Sequence, residues 1–424
     1  MRAEILSTGD EVRTGAIIDT NAAFIAEALE TIGITVTRHT CVGDDLDDIA
    51  AALQEIASRS DMAVVTGGLG PTADDMTAEA AARAAGVVLE EMPVALEQIE
   101  RFFNARGMVM SATNRKQALI PQGALVLENT DGTAPGFRMT IGGCRMVFLP
   151  GVPREMRPML ARHVLNDFTE QHRSDGVVHA VDVIPTFGLP ESVVGDKLKG
   201  ITPTNGSLRV GLRVLFPEIH VRIYGQGGRP ETLAAQMRQL KETICERLGK
   251  RVLSTNGRRL PEVLGSMLMD RRATLAVAES CTGGLMAKQL TDVPGSSGFF
   301  LLSAVTYANE AKMAVLGVAP ETLERYGAVA EATAREMAEG ARRCAGADYA
   351  LSTTGIAGPD GGTAEKPVGT VCIGLATPEG TRTFRYAFPF GDRDLNRRLF
   401  AATAFDRLRQ YLLGILRING SDEI

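Results

Sequence analysis

The sequence predicts an α/β protein with two separate α/β domains joined by a small α+β segment. Three observations predict this fold class. A chain of 424 residues is too long for a single ordinary core. Strand-like and helix-like segments alternate from the start of the chain to residue 168, and alternate again from residue 258. The stretch between them contains paired strand-like segments and a long helix-like segment.

The bulk composition is that of a folded, water-soluble protein. The chain is 45% hydrophobic and 23% charged, and its net charge of -6 argues against a nucleic-acid partner. Its six cysteines are scattered with no CxxC pair, which favours free thiols in a reducing cytosol. There is no apolar signal-peptide core, and no apolar run approaches the roughly 20 residues of a membrane span. We therefore expect a soluble, cytoplasmic protein with no membrane partner.

Residues 1–168 are predicted to form the first α/β domain. AEILST precedes the helical pattern NAAFIAEALETIG, ITVTRHTCV precedes DLDDIAAALQEIASR, and MAVVT precedes a glycine-rich turn. Repeated βα units indicate a largely parallel sheet covered by helices, with ligands at the carboxyl ends of its strands. The polar stretch TEQHRSDG (169–176) is predicted to be a linker.

Residues 177–255 are predicted to form a small KH-like α+β domain. Its GQGG stretch (225–228) matches the GxxG of KH nucleic-acid domains letter for letter. Four residues of this composition between a strand and a helix are more often a plain turn, so the match does not predict nucleic-acid binding.

Residues 258–424 are predicted to form the second α/β domain, which closes with the long amphipathic helix DLNRRLFAATAFDRLRQYLLGIL. Three glycine-containing loops follow strand-like segments in this domain: AESCTGG (278–284), TTGIAGPDGG (353–362) and FGDRD (390–394). Backbone N–H groups in such loops form anion sites, and the third loop adds Arg393. The loops therefore indicate a ligand that carries a phosphate.

The stretch VPGSSGFFLLSAVTYANEAK (293–312) raises the question of a serine nucleophile. All five histidines lie at or before His220, so a serine in this domain needs lysine or ionised tyrosine as its base. Asn309 is a predicted N-cap, which places Lys312 in the first helical turn, where the helix dipole lowers a lysine pKa. A solvated lysine beside loop serines fits the spacing as well. Cys281 is an alternative nucleophile, although a small buried thiol is its commoner role.

The glycine-rich stretch TGGLGPTADDMT (66–77) follows the strand MAVVT. Its glycines allow the backbone to approach a phosphate, and Asp74 and Asp75 are suited to a hard divalent cation. These acids are equally typical of helix N-caps, and Asp10-Glu11 and Asp44-Asp45 of solvated loops. The acids alone leave both interpretations open.

The C-terminal motifs resemble a known family. AESCTGG, GSSGFF, TYANEAK, GAVAE, TTGIAGPDGG, EKPVGTV and GDRD occur in this order over residues 278–394. Together they resemble the CinA C-terminal family, the nicotinamide mononucleotide amidases, which hydrolyse the carboxamide to the acid and ammonia without a metal. The resemblance implies Ser297 as nucleophile, Lys312 as base and Tyr307 as an aid to proton transfer. It implies substrate and phosphate contacts from Ser280, Thr354, Gly355 and Arg393.

The N-terminal motifs resemble the other half of CinA. STGDE, DTNAAFIAE, VGDD, TGGLGPTADDMT and LPGVPREM, over residues 7–156, are similar to that half, which has the molybdopterin-binding-protein fold. Members of this branch are similar to ADP-ribose pyrophosphatases, which release AMP and ribose 5-phosphate with a divalent metal (Mg, Mn or Co). The resemblance implies a nucleotide site at Gly67, Gly68, Gly70, Thr72 and Asn21. It implies metal ligands among Asp10, Glu11, Asp44, Asp74 and Asp75.

The sequence thus predicts a bifunctional pyridine-nucleotide salvage hydrolase whose partners are nicotinamide mononucleotide and ADP-ribose. The family resemblance also implies a homodimer. One alternative is a Ser-Lys amidase or esterase of other specificity beside an inactive N-terminal domain. Another is a non-enzymatic nucleotide- or nucleic-acid-binding competence protein.

Overall fold

A computed structural model describes residues 1–168, 177–201 and 206–419. The predicted linker TEQHRSDG lies outside the described residues. The chain divides into two compact units, Met1–Ala180 with Gly225–Leu233 and Val181–Tyr224 with Ala234–Ile424. The division into segments 1–168, 177–255 and 258–424 stays a prediction.

The strands of the described residues form one sheet for each predicted segment, and a further short pair. They are β1 (Arg2–Thr8), β2 (Thr35–Val42), β3 (Met62–Thr66), β4 (Leu89–Glu91), β5 (Leu119–Pro121), β6 (Leu125–Leu127), β7 (Gly136–Ile141), β8 (Cys144–Leu149), β9 (Val178–Phe187), β10 (Leu208–Leu215), β11 (Glu218–Gly227), β12 (Leu275–Glu279), β13 (Phe300–Val305), β14 (Tyr349–Gly355), β15 (Thr370–Thr377) and β16 (Gly380–Ala387).

The α-helices of the described residues surround these sheets. They are α1 (Asp10–Arg13), α2 (Thr20–Thr31), α3 (Leu46–Arg59), α4 (Thr77–Ala85), α5 (Pro93–Asn104), α6 (Pro153–Leu160), α7 (Glu191–Lys197), α8 (Pro230–Leu248), α9 (Leu260–Asp270), α10 (Leu285–Thr291), α11 (Asn309–Leu316), α12 (Pro320–Tyr326), α13 (Glu331–Ala345) and α14 (Arg393–Leu412). None of the described helices combines the length and apolar character that crossing a bilayer requires.

The N-terminal sheet has the strand order β2-β1-β3-β8-β7-β6. The first four strands are parallel, and β7 and β6 add an antiparallel edge. Successive residues of β1 point to opposite faces: Leu6 packs in a core with α3, α4 and α5, and Ile5 packs in another with α2 and α6. Helices therefore cover both faces, as the alternating pattern predicts. The loops that follow β1, β2, β3 and β8 meet at one edge.

The middle segment forms a three-stranded sheet in the order β10-β11-β9. Gly225, Gln226 and Gly227 are the last residues of β11, and helix α8 begins at Pro230. The GQGG stretch is therefore mostly strand rather than the plain turn that its composition predicts. The GQGG stretch connects a strand to a helix, and it is therefore not a loop between two helices.

The C-terminal sheet has the strand order β13-β12-β14-β15-β16. β13, β12 and β14 are parallel, whereas β15 and β16 are antiparallel. Val277 packs in a core with α9, α10 and α14, and Ala278 packs in the core on the other face with α11 and α13. The carboxyl ends of β13, β12 and β14 lie side by side. This edge is where an α/β sheet places its ligands.

The closing helix α14 differs from the amphipathic helix that the sequence predicts. It buries polar side chains as well as apolar ones, because both α9 and the segment at residues 250–252 pack against it. Asp406 and Arg409 are each 2% exposed and joined by a 2.7 Å ion pair. Arg409 also donates hydrogen bonds to the carbonyls of Lys250 and Val252.

We expect the Asp406→Ala variant to lose about 3–5 kcal/mol of unfolding free energy, because Arg409 would be left buried without its counter-charge. Urea denaturation of the full chain, followed by circular dichroism, measures the loss. The control is Asp394→Ala, which removes an exposed ion pair to Arg398 on the same helix. It should cost less than about 1 kcal/mol. Equal losses in the two variants would contradict the prediction.

Candidate functional site

The first candidate site lies at the carboxyl ends of β12 and β13. Glu279 ends β12 and is paired with Val305, which ends β13. Ser280 therefore follows one strand directly, while Thr306 and Tyr307 follow its neighbour. This pairing brings the AESCTGG and TYANEAK motifs together although they are about 30 residues apart in sequence.

Lys312 points from α11 into this edge and is only 1% exposed. Its Nζ lies 3.1 Å from the Oγ of Ser280, 2.8 Å from the carbonyl oxygen of Thr306 and 3.0 Å from that of Tyr307. The structure therefore places a buried lysine beside a serine hydroxyl. The serine is Ser280, which the sequence predicts as a substrate contact, and not Ser297, which it predicts as the nucleophile.

The structure does not bring Ser297, the predicted partner of Lys312, close to it within the chain. Ser297 lies in a short 3₁₀ turn, Ser296–Gly298, just before β13, whereas Lys312 follows the other end of that strand. A six-residue strand spans roughly 17 Å, so the two side chains lie at opposite edges of the sheet. Ser297 is also exposed to solvent, and no described contact joins it to the lysine.

Lys312 Nζ lies within hydrogen-bond distance of three oxygens. Two belong to carbonyls, which can only accept, and Nζ also donates to the Ser280 Oγ. Three acceptors match the three N–H groups of an ammonium, whereas an uncharged amine that donates to both carbonyls would direct its lone pair at the Ser280 hydroxyl. Burial lowers the pKa of Lys312 from its ordinary value.

The direction of this pKa shift agrees with the sequence prediction, but its cause differs. Burial in the protein, rather than the helix dipole, is the main reason that the lysine pKa falls. The helix begins at Asn309 with Ala308 as its N-cap, so the predicted N-cap is displaced by one residue. Lys312 is nevertheless in the first turn of α11.

Tyr307 and Arg393 form the outer part of this site. The Tyr307 side chain is 63% exposed, and its hydroxyl accepts a 3.1 Å hydrogen bond from Arg393. Arg393, the first residue of α14, also donates to the carbonyl of Gly358, 2.9 Å away. The AESCTGG, TYANEAK, TTGIAGPDGG and FGDRD segments thus converge on one edge, as their predicted shared role requires.

Two predicted substrate contacts are structural in this arrangement. Thr354 is 1% exposed, and its hydroxyl donates a 2.6 Å hydrogen bond to the carbonyl of Ala328. Gly355 lies inside the β14–β15 pairing, where an added Cβ would come within 2.4 Å of the Thr370 carbonyl oxygen. The Thr354 hydroxyl is therefore already used by a backbone carbonyl, and Gly355 has no side chain to offer.

Cys281 does not have the properties of a nucleophile. It is buried, and burial raises the pKa of its thiol to about 12. The thiolate, which is the reactive form, is therefore disfavoured. Ser280 remains as the nucleophile candidate at this edge.

Sequence reasoning missed three polar residues that hold the loops of this site. Glu279 accepts backbone hydrogen bonds at the start of α10, and Arg397 donates to the carbonyl of Thr282. Asn396 donates to the carbonyls of Ala357 and Phe390, which joins the second and third glycine loops. The available signal was a charged residue, Glu279, at the end of the apolar strand TLAVAE.

The second candidate site is a cleft of about 530 Å³ at the carboxyl ends of β1, β2, β3 and β8. Several predicted residues line it: Asn21, Gly67, Gly68, Gly70, Glu11, Asp44, Asp74 and Asp75. Asp10 and Thr72 lie beside the cleft rather than in its lining. The exposed side chains of Ile17, Ile18 and Val152 form an apolar part of its wall.

The glycine loop of this cleft has the geometry of an anion site. Gly67 and Gly68 have φ values of 109° and 63°, which side chains larger than hydrogen rarely adopt. An added Cβ on Gly67 would also lie 2.3 Å from the Thr8 carbonyl oxygen. Within the described residues, the N–H groups of Gly68, Leu69 and Gly70 donate to no protein atom. They are free to bind a phosphate.

The acidic residues of this cleft divide into two groups. Burial and the nearby carboxylates of Glu11, Asp10 and Asp74 raise the pKa of Asp44. Asp10 is instead paired with Arg13, and Asp75 accepts hydrogen bonds from the backbone and hydroxyl of Thr72. In the part of the chain that the structure describes, no three acidic, histidine or cysteine side chains are already arranged as a metal site.

Asn21 has a structural role at the side of this cleft. It is 9% exposed, and its amide nitrogen donates to the carbonyl of Gly151 and to the hydroxyl of Thr66. These bonds fix α2 against the ends of β3 and β8. Its predicted contact with a nucleotide stays a prediction.

Comparisons with known families cover nearly the whole chain. Residues 4–170 match the probable molybdopterin binding domain, residues 182–253 match the damage-inducible protein CinA KH domain, and residues 257–412 match the CinA C-terminal domain. The fold is therefore a molybdopterin-binding-like α/β domain, a KH-like middle domain and a CinA C-terminal α/β domain.

Curated relatives match over their full length. A CinA-like protein of Desulfosudis oleivorans is 49% identical over 97% of this chain and 100% of its own. A CinA-like protein of Geobacter sulfurreducens is 44% identical over the same shares of the two chains. Among solved structures, a competence-damaged protein (CinA) superfamily protein from Escherichia coli is 36% identical. It covers 36% of this chain and 88% of its own, with a TM-score of 0.35. The family models and the full-length relatives together show that this chain belongs to the CinA family.

Proposed function

We propose that the C-terminal domain is an amidase that hydrolyses the carboxamide of nicotinamide mononucleotide to the acid and ammonia. The observation that carries the proposal is the 3.1 Å contact between the buried Nζ of Lys312 and the Oγ of Ser280. A lysine whose pKa is lowered by burial is a suitable general base for a serine hydroxyl. Ser280 replaces Ser297 as the proposed nucleophile.

The reaction proceeds through an acyl-enzyme in this proposal. Lys312 takes the Ser280 proton as Oγ forms a bond to the carboxamide carbon. The C–N bond then breaks, and the proton held by Lys312 passes to the departing nitrogen, which leaves as ammonia. A water molecule attacks the ester while Lys312 takes its proton, and the proton returns to Ser280 as the acid leaves.

Arg393 and Tyr307 are the proposed contacts for the rest of the substrate. Arg393 is an exposed guanidinium at the start of the 20-residue helix α14, so its charge and the helix dipole favour an anion at the same place. A substrate monophosphate meets this requirement. Tyr307, hydrogen bonded to Arg393, lies between the proposed phosphate position and the buried dyad.

For the N-terminal domain we propose metal-dependent hydrolysis of ADP-ribose to AMP and ribose 5-phosphate. The free N–H groups of Gly68, Leu69 and Gly70 support binding of a diphosphate, and Ile17 and Ile18 offer an apolar wall to a base. The carboxylates of Glu11, Asp44 and Asp74 are hard oxygen donors in the same cleft and fit Mg²⁺, Mn²⁺ or Co²⁺. The ion would supply charge neutralisation to the diphosphate.

Two other functions remain as competitors. An amidase or esterase of other specificity would use the same dyad without requiring a phosphate on its substrate. A non-enzymatic nucleotide- or nucleic-acid-binding protein would need a basic surface, which the net charge of -6 and the strand position of GQGG do not favour. A homodimer and a cytoplasmic location are part of the proposal as well.

We expect Ser280→Ala to lower ammonia release from nicotinamide mononucleotide by at least about 10³-fold, because it removes the nucleophile. The Ser297→Ala variant is the matched control and should retain the wild-type rate. A coupled assay for ammonia, run with EDTA present, measures both variants. Loss of activity in Ser297→Ala with activity retained in Ser280→Ala would restore the original serine assignment.

We expect the kcat/KM of the amidase to fall as the pH falls through the pKa of Lys312, because only the neutral amine accepts the serine proton. Burial lowers this pKa, so the acidic limb should lie below the ordinary lysine value of 10.5. A pH–rate profile from pH 5 to 10 measures it. Lys312→Met should abolish activity at every pH, whereas Lys288→Met, an exposed lysine on α10, should leave the profile unchanged. If the Lys312→Met variant kept the acidic limb of the wild-type pH–rate profile, Lys312 would be excluded as the base.

For the N-terminal domain, we expect AMP release from ADP-ribose to require Mg²⁺, Mn²⁺ or Co²⁺ and to stop with EDTA. Asp44→Asn should lower the rate at least about ten-fold, because it removes a carboxylate that is poised to bind a cation. Asp48→Asn, on the exposed face of α3, is the control. Chromatographic detection of AMP measures the rate. Metal-independent release, or equal rates in the two variants, would contradict this assignment.

A further inference from the structure

Several backbone groups of the turn that follows Ser280 are in hydrogen bonds. The N–H of Ser280 donates to the carbonyl of Thr353, and its carbonyl accepts from the N–H of Gly283. The N–H of Leu285 donates to the carbonyl of Thr282. Gly283 and Gly284 have φ values of 59° and 92°, which allow the chain to enter α10 within this short distance.

Glu279 holds the turn from the α10 side. Its carboxylate is fully buried and accepts hydrogen bonds from the N–H groups of Gly284, Met286 and Ala287, at 2.9 to 3.1 Å. The Ser303 hydroxyl is a more distant donor at 3.4 Å. Three donors at a helix start satisfy a buried carboxylate, because the positive end of the helix dipole faces it.

Arg397 holds the same turn from the opposite side. Its guanidinium donates two hydrogen bonds to the carbonyl of Thr282, through Nε at 3.1 Å and through Nη2 at 2.7 Å. The Thr282 hydroxyl is bonded to that of Thr353 at 2.8 Å. The peptide planes around Thr282 are therefore fixed by contacts on both its main chain and its side chain.

Two N–H groups of the turn remain free after these bonds are counted. In the described chain, the N–H groups of Cys281 and Thr282 donate to no other residue. Free N–H groups in a partly buried turn require a partner. They come directly after the proposed nucleophile, which is where an enzyme needs donors for a developing oxyanion.

We infer that the N–H groups of Cys281 and Thr282 bind the carboxamide oxygen as it becomes an oxyanion, and that Glu279 and Arg397 are positioning residues for this pair. The inference rests on the proposed nucleophile, Ser280. When Ser280 Oγ bonds to the carboxamide carbon, the C=O electron pair moves to that oxygen, and the two N–H groups stabilise its charge. Glu279 and Arg397 touch neither the substrate nor the reacting atoms.

The test compares Glu279→Gln and Arg397→Met with Arg398→Met in the full-length protein. Arg398 is the exposed neighbour of Arg397 and pairs with Asp394. The first two variants should lower kcat for nicotinamide mononucleotide about 10- to 100-fold with KM within about two-fold, because the misdirected donors act on the oxyanion, which forms only in the transition state. The control should keep the wild-type kcat.

A fluorophosphonate probe provides a readout that does not depend on the natural substrate. Ser280 Oγ displaces fluoride from phosphorus while Lys312 takes the serine proton, and the P=O oxygen occupies the oxyanion position. Mass spectrometry follows the labelling rate at Ser280. We expect the rate to fall in Glu279→Gln and Arg397→Met to a similar extent as kcat, and Arg397→Lys to recover part of it, since lysine keeps one donor for the Thr282 carbonyl.

The double variant Glu279→Gln/Arg397→Met separates positioning from general loss of stability. Because both residues act through one turn, we expect the double variant to be little slower than the slower single variant. Multiplicative effects, or a change in KM as large as that in kcat, would overturn the inference, as would wild-type labelling in both single variants.

Labelling of the wild-type protein tests the oxyanion site separately from the proposed substrate. Labelling of Ser280 without hydrolysis of nicotinamide mononucleotide would refute the substrate, while the labelling rates of the variants would still decide the oxyanion site. If Glu279→Gln fails to fold, as circular dichroism would reveal, the partly exposed Arg397 provides the same test through its Met and Lys variants. Absence of Ser280 labelling in the wild-type protein would refute both.

Discussion

The C-terminal site depends on the burial of a single lysine at the edge of a parallel sheet. Burying an ammonium group is costly, and the cost falls when the group is neutral and its N–H groups have acceptors. The carbonyls of Thr306 and Tyr307 provide those acceptors because the chain leaves β13 and enters α11 within a few residues. The fold therefore places the amine nitrogen within hydrogen-bond distance of the residue that follows the neighbouring strand. Ser280 is the residue found there.

The two α/β domains have the same sheet-edge geometry but present different chemical groups at that edge. In both, parallel strands end at one edge and deliver their loops to a common place. The N-terminal edge presents free backbone N–H groups and carboxylates around a cleft, which is the chemistry of a metal and a phosphate. The C-terminal edge presents a buried amine and a hydroxyl, which is the chemistry of acyl transfer. Strand order, more than residue composition, determines which side chains meet.

The α/β alternation and the convergence of the glycine loops could be predicted from the sequence, because both follow from local periodicity and from the parallel order of βα units. The choice between Ser297 and Ser280 could not. Ser297 is closer to Lys312 in sequence, but a strand lies between them, and a strand carries the chain across the sheet. Only the pairing of β12 with β13 shows that the more distant serine is the neighbour.

The polar residues inside the structure were equally hard to predict. The AESCTGG motif predicts a substrate contact at Ser280 but gives no role to Glu279 and Thr282, whose side chains hold the turn. The hydroxyl of Thr354 in TTGIAGP likewise donates a hydrogen bond to a backbone carbonyl. A sequence shows that such a group is present, but its hydrogen-bond partner comes from an element far along the chain. The lowering of the Lys312 pKa could be predicted, because the sequence places this lysine in the first turn of a helix. Its main cause, burial, could not be predicted, because the elements that bury the lysine lie far along the chain.

The position of β13 at the outer edge of the C-terminal sheet has a consequence for how the site fails. Among the described residues, one flank of this strand has no neighbouring strand in its sheet, so its strand hydrogen bonds come from a single side. An edge strand has fewer contacts to break than a central one, so we expect it to open more readily. Opening β13 would separate Thr306 and α11 from β12, and with them Lys312 from Ser280. The contact between these two residues therefore depends on one strand pairing as well as on the core.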